Sequence, residues 1–196
     1  MGGEIPDPDR KHRCRKLGAV VRHRQTIVRT FVQRKRDHQG VCSVERTLTE
    51  DEVVEGRAIS ARNKDNYLKA KAAFNQRDMA GCMSYYAPDH IIRSRDFGAG
   101  RQHIERVLSS MHEVWPDLVI VVEHAVAEDD WVAGRCTTTA THAKTVMGVA
   151  PTNRKVQATF WDMHRFDVDG RIVETWNLTD NLAIMQQLGL VPAQPN

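Results

Sequence analysis

The plainest acid–base chemistry in this 196-residue chain lies near its C-terminal end. In KVQATFWDMHRFDV (155–168) and RIVETWNLTD (171–180) the composition favours extended strands, and alternate residues of a strand share a face. Val156, Ala158, Phe160, Asp162, His164 and Phe166 fall on one side of the first. Ile172, Glu174, Trp176, Leu178 and Asp180 fall on one side of the second. Asp169-Gly170 between them is a hairpin signal that makes the two runs neighbours. An Asp at a strand end, a His on the next strand and a Trp beside them could form an acid/base group in an apolar pocket. Burial would raise the carboxyl pKa toward working pH and suit it to a general base. Asp180 and His164 are the catalytic candidates on this reading. Each residue also has a plainer role. Asp180 directly precedes NLAIMQQLG and could cap that helix. His164 could be a hydrogen-bonded sheet residue, Trp161 and Trp176 core or interface, and Asp162 a partner for Arg165 or Arg171.

Several other chemistries lack their signatures. There is no G-x-G-x-x-G or G-x-x-x-x-G-K-[ST] to cradle phosphates, and no H-E-x-x-H or G-x-S-x-G. The nine His show no metal-ligand spacing. A cofactor-free reaction or pure binding remains, with no metal expected. Cysteines at 14, 42, 82 and 136 form no C-x-x-C pair, as expected of reduced thiols in a cytoplasmic protein. No run approaches the ~18 apolar residues of a membrane span, and the first 20 residues lack the apolar core of a secretory signal.

The elements that must position these residues follow from periodicity. Tyr67, Ala70, Lys71 and Phe74 recur at helical spacing from Asn63 onward. A short helix fits 79–86, a short strand 90–95, and a third helix 101–114, stopped by Trp115-Pro116-Asp117. Strand-like runs then cover 118–128, 131–143, 155–168 and 171–180, and a last helix covers 181–188 with Gly189 behind it. Helices first and a run of strands afterwards define an α+β domain with helices on one face of a curved antiparallel sheet. Such a layout leaves a cavity between sheet and helices, the usual place for a small ligand.

Residues 1–46 differ in character, with 12 Lys/Arg against 5 Asp/Glu, a net of +7, whereas 47–196 carry 16 against 20, a net of −4. Leu17, Val20, Val21, Ile27, Val28, Phe31 and Val32, with Arg between them, predict a basic amphipathic helix over about 17–36. Residues 39–60 read as a polar linker. The expectation is a partly helical or disordered extension over 1–60 and a folded domain over 61–192. No DNA- or RNA-binding motif accompanies the charge, so no specific nucleic-acid partner is expected; contact with an anionic membrane and a targeting role are the alternatives.

Residues 63–192 resemble the SnoaL-like polyketide cyclase (ester cyclase) family of the nuclear-transport-factor-2-like superfamily. The carrying positions are Pro116-Asp117, Thr141-His142, Gly148 with Pro151-Thr152, Asp169-Gly170 with Ile172, Glu174 and Trp176, then Asp180 and Gln187-Leu188-Gly189. Lys144 and Asn153 depart from glycines usual in that pattern. The resemblance implies a cone-shaped α+β barrel, a homodimer through the outer sheet surface, and cofactor-independent ring closure or isomerisation of an aromatic or polyketide-like carbonyl substrate. It places the acid/base at Asp180, with His164 as polar partner. Trp176, Phe160, Tyr67 and His142 are the residues expected to line the substrate site. A non-catalytic binding or dimerisation module is the alternative, as is epoxide-hydrolase-like activation of water by Arg135, Tyr67 and Asp180.

Overall fold

The computed structural model describes residues 29–37, 40–94, 98–146 and 148–192, with side chains from residue 48 onward. The chain divides into two units, the first ending at Glu50 and the second starting at Asp51.

In the first unit β1 (Arg29–Asp37) pairs antiparallel with β2 (Gly40–Leu48), in register from Arg29↔Leu48 to Asp37↔Gly40. The helix expected over 17–36 is therefore corrected for residues 29–36, and its earlier part lies outside the described residues. Val, Thr and Phe in TFV and GVCSVERT favour strand over helix when a partner strand is at hand. The expected linker over 39–60 is likewise corrected. It holds β2 and the start of α1 (Glu50–Asn75). The acidic cluster Glu50-Asp51-Glu52 sits in the first turn of that helix, where the helix dipole favours negative charge.

In the second unit α1 buries one stripe, Asn63, Tyr67, Ala70 and Phe74. α2 (Met79–Met83) follows, capped by Asp78, whose carboxylate accepts from the Gly81 amide at 2.8 Å. Then come β3 (Tyr86–Ile92), α3 (Arg101–Val114), β4 (Val119–Glu128), β5 (Trp131–Thr141), β6 (Lys155–Phe166), β7 (Ile172–Thr179) and α4 (Asn181–Leu188). The second helix is thus shorter than expected and β3 starts earlier. The five strands form one sheet in the order β3-β7-β6-β5-β4. All neighbours are antiparallel except β3 and β7, which run parallel, a departure from the all-antiparallel expectation. β3 precedes α3 and three strands in the chain, so it reaches the sheet edge by a crossover rather than a hairpin.

β6 is the central reporter of sidedness. Val156, Ala158, Phe160, Asp162, His164 and Phe166 are buried, and Trp161 and Met163 between them are exposed. The apolar side of α3 brings Ile104, Val107, Leu108 and Met111 to the core. Asn75 at the end of α1 grips both backbone groups of Ile120 on β4, accepting from its N–H at 2.9 Å and donating to its carbonyl at 2.7 Å. That clamp fixes α1 against the sheet. No helix among the described residues is long and apolar enough to cross a membrane.

Candidate active site

A cavity of about 450 Å³ lies between the inner sheet face and the helices. Ile104, Val107, Leu108 and Met111 of α3, Leu118 and Ile120, and Val156, Ala158 and Phe160 of β6 give it apolar walls. Among its polar residues Lys71, Asp162, His164 and Thr175 are joined by hydrogen bonds, and Ser94, Ser110, Thr138, Asn177, Thr179 and Asn181 also line it. Among the described residues no group of three His, Cys, Asp or Glu is placed to hold a metal ion.

Asp162 is the hub of the hydrogen-bonded group. Its side chain is 2 % exposed and forms an ion pair with Lys71 through Oδ2. His164 Nε2 lies 3.1 Å from the same oxygen. The Tyr67 hydroxyl donates to Oδ1 at 2.8 Å and also lies 3.1 Å from Cys136 Sγ. Burial works to raise the Asp162 pKa, but Lys71 and His164 outweigh it and hold the carboxyl well below the usual carboxylate range. Burial lowers His164 although Asp162 opposes it, so the imidazole is neutral near pH 7. Burial first, then the Asp162 charge, pushes the Tyr67 phenol far up, and it stays a donor. The result is an ionised carboxylate and an ammonium side by side on an apolar cavity, where electrostatic interactions are stronger than in water.

The elements explain the placement. Tyr67 and Lys71 are one helical turn apart on the stripe of α1 that meets β6. Gly134 of β5 lies directly opposite Asp162. A Cβ there would collide with the Tyr67 hydroxyl and lie 2.7 Å from Tyr67 Cζ and 2.9 Å from Asp162 Oδ1. The missing side chain makes room for the phenol to reach the carboxylate.

The structure disperses the residues expected to form the site. Phe160 and His164 line the cavity, and Tyr67 stands behind it on Asp162. Asp180 is exposed, does not line the cavity, and caps α4 by accepting from the Ala183 amide at 3.0 Å. Trp176 lies opposite Met163 on the outer sheet face, its ring 5.2 Å from that of Trp131. His142 is fully buried, accepts from the Thr152 amide at 3.2 Å through Nδ1, and sits 5.7 Å from the Trp115 ring, outside the cavity lining. Arg135 pairs with Glu123 and lies opposite the exposed Trp161, so it does not converge with Tyr67 and Asp180 on one water. Asp162 pairs with Lys71, His164 and Tyr67 instead of Arg165 or Arg171, which take Glu174 and Asp167.

Sequence reasoning missed Lys71, Asp162 and Thr175 as a group. Two signals pointed to them. Lys71 is a charge on the apolar stripe of its helix, and Asp162 shares parity with Val156, Ala158 and Phe160.

A curved sheet backed by helices, with a polar cluster set in an apolar cavity, is the layout of the nuclear-transport-factor-2-like proteins. Within that class the chain belongs to the SnoaL-like polyketide cyclase family, which matches residues 64–188. It is similar to AclR of Streptomyces galilaeus, a candidate hydroxylase, at 33% identity and TM-score 0.63 over 70% of this chain and 87% of that one. It is also similar to IdmH of Streptomyces antibioticus, a candidate polyketide cyclase, at 32% identity and TM-score 0.59 over 65% and 98%. TsrD of Streptomyces laurentii, at 20% identity and TM-score 0.60 over 69% and 98%, shares the fold. No curated protein matches the chain.

Proposed function

We propose that the protein is a cofactor-independent acid/base catalyst of the cyclase type, acting on a small, apolar, carbonyl-bearing substrate by aldol-type ring closure or isomerisation. The Lys71–Asp162 pair on a largely apolar cavity carries this reading. The substrate carbonyl oxygen accepts a hydrogen bond from the Lys71 ammonium, which stabilises the negative charge that develops there. Asp162 takes the proton from the adjacent carbon and returns it at the end of the cycle. A carboxylate held this far below its ordinary pKa is a weak base. It therefore suits a C–H already activated by its carbonyl, with Lys71 lowering the cost of the enolate. The role first placed at Asp180 moves to Asp162, because Asp180 has its carboxylate on a helix amide and Asp162 has its own beside the cavity.

Deuterium incorporation at the benzylic α-carbon of a benzo-fused ketone such as 2-tetralone, followed by NMR in D2O, tests the reading without the natural substrate. Exchange above the buffer rate, lost in Asp162→Asn while the variant stays folded, is the expected result. Saturable binding of the ketone with no enzyme-dependent exchange would return the chain to the non-catalytic binding modules of this fold. The similarity to a candidate hydroxylase supports a second reading, in which the same carbanion adds O2 and the proton held by Asp162 returns to the distal oxygen, leaving a hydroperoxide on the α-carbon. Oxygen uptake during the incubation would favour it.

A homodimer through the outer sheet face belongs to the same proposal. Trp161 (55% exposed), Met163 and Leu178 (73% exposed) form a contiguous apolar strip there across β6 and β7, with Val121 and Val126 exposed on β4. Light scattering on the wild type and on Trp161→Glu tests it, the variant being expected to run at half the mass.

A further inference from the structure

Asp162 is one end of a longer chain of hydrogen bonds, whose other members have no part in the proposed reaction so far. His164 Nδ1 lies 2.9 Å from Thr175 Oγ1, and the same hydroxyl lies 2.8 Å from His90 Nε2. All three residues are at least nine-tenths buried: His90 is 0%, His164 1% and Thr175 6% exposed. The sheet sets this geometry, since Thr175 faces His164 directly across β6–β7 and the parallel β3 brings His90 to its other side. His90 Nδ1 is buried and has no hydrogen-bond partner.

Proton counting gives the chain one direction. Asp162 is ionised, so the His164 nitrogen facing it must carry the proton, because a bare nitrogen there would set lone pair against carboxylate. A neutral imidazole then has a bare Nδ1, and only the Thr175 hydroxyl can donate to it. A threonine hydroxyl has one proton. Having given it to His164, Thr175 can only accept from His90, so His90 carries its proton on Nε2. The atom left bare is His90 Nδ1, the one found without a partner. The reverse assignment would leave a buried N–H donor unpaired there, which is the costlier outcome.

We infer that Thr175 and His90 are positioning residues that lock His164 in its Nε2–H tautomer and so hold the Asp162 carboxylate ionised and in one orientation on the cavity. The inference rests on the proposed role of Asp162 for its catalytic meaning, and the tautomer itself is open to direct observation. If His164 turned its bare nitrogen to Asp162, the carboxylate would lose a donor and bind its proton more tightly. The ionisable groups around this line are Lys71 and Tyr67 from α1, Tyr86 from β3 edge-on against the His90 ring, Cys136 from β5, Asp162 from β6, and Asp89 and Glu174 near His90. None of them can supply His164 Nδ1 with the proton that Thr175 gives.

The test uses the full chain labelled with 15N-histidine, in which long-range 1H–15N correlations separate Nδ1–H from Nε2–H. Wild type, Thr175→Val and Thr175→Ser are compared, each also in the 2-tetralone exchange assay against pH. In wild type at pH 7 both His164 and His90 are expected in the Nε2–H form. In Thr175→Val the single tautomer of His164 is lost and kcat for exchange falls about tenfold with KM within about twofold. The acid limb of kcat then moves up by about one pH unit. Thr175→Ser restores all three. An Nδ1–H tautomer at His164 in wild type overturns the inference, and so does a Thr175→Val protein that keeps the wild-type tautomer and pH profile. If wild type exchanges no proton with the ketone, the proposed function fails while the tautomer readings still decide the relay.

Discussion

Acid should weaken this fold through His90, in a window it shares with other lowered histidines. Burial, reinforced by His164, lowers the His90 pKa from 6.5 to about 4, the nearby Asp89 and Glu174 only partly opposing this. Between those values the unfolded chain binds a proton at His90 and the folded chain does not. Stability therefore rises with pH across the window and is lost as pH falls from 6.5 toward 4. A gap of about 2.5 in pKa at ~1.4 kcal/mol each comes to about 3 kcal/mol. His164 and His112 are lowered too and act in the same direction, and both are present in wild type and in the His90 variant. Asp162, Glu174 and Asp117 are depressed, so their contributions are present above the ordinary carboxylate range and disappear only as pH falls through lower values. The perturbation that isolates His90 is His90→Gln, whose amide can still donate to Thr175 but never gains a charge. Urea unfolding of both proteins at pH 7 and pH 4 is the assay. Wild type should lose about 3 kcal/mol more than His90→Gln over that interval. Stability–pH curves that run parallel within about 0.5 kcal/mol would show that His90 carries no proton-linked cost, and the reasoning from burial would be wrong.

Three further outcomes follow from the same geometry. Removing one partner of the Lys71–Asp162 pair leaves a buried charge, so Lys71→Met and Asp162→Asn should each cost about 3–5 kcal/mol. The double variant should cost clearly less than their sum, as a double-mutant cycle in urea would show. Gly134→Ala should destabilise by about 1–3 kcal/mol and suppress ketone exchange, because its methyl displaces the Tyr67 hydroxyl from Asp162; thermal melts and the NMR assay check both. Asp180→Ala should cost about 1 kcal/mol through the lost cap of α4 and Asp180→Asn far less, with ketone exchange unchanged in both.

Most elements of the second unit were legible because their patterns are strong. α3 and α4 fall on their expected ends, and β4, β5, β6 and β7 within two residues of theirs. The site was less legible, and β6–β7 shows why. Phe166 pairs with Ile172, and continuing that register would set His164 against Glu174 and Asp162 against Trp176. An irregularity between Arg165 and Phe166 shifts the pairing by one, so His164 meets Thr175 and Asp162 meets Asn177. One extra residue turns every later side chain to the other face. It sends Trp176 outward, and Asp180 continues past the strand as a cap. Nothing local in RFDVDGRI marks the bulge. In the first unit the error had a different source. Helical spacing of Val, Ile and Phe among Arg is also compatible with a strand when β-branched residues dominate, and the partner strand decides.

The Lys71–Asp162 pair joins positions 91 residues apart, and the Thr175 hydroxyl that orders His164 comes from the penultimate element. Contacts of such long separation require most of the loop-closure entropy to be spent before they form. A growing chain that has emerged only as far as β5 possesses the helix with Lys71 and no counter-charge for it. The Lys71–Asp162 ion pair is thus among the last features to assemble during synthesis, and its formation reports completion of nearly the whole second unit.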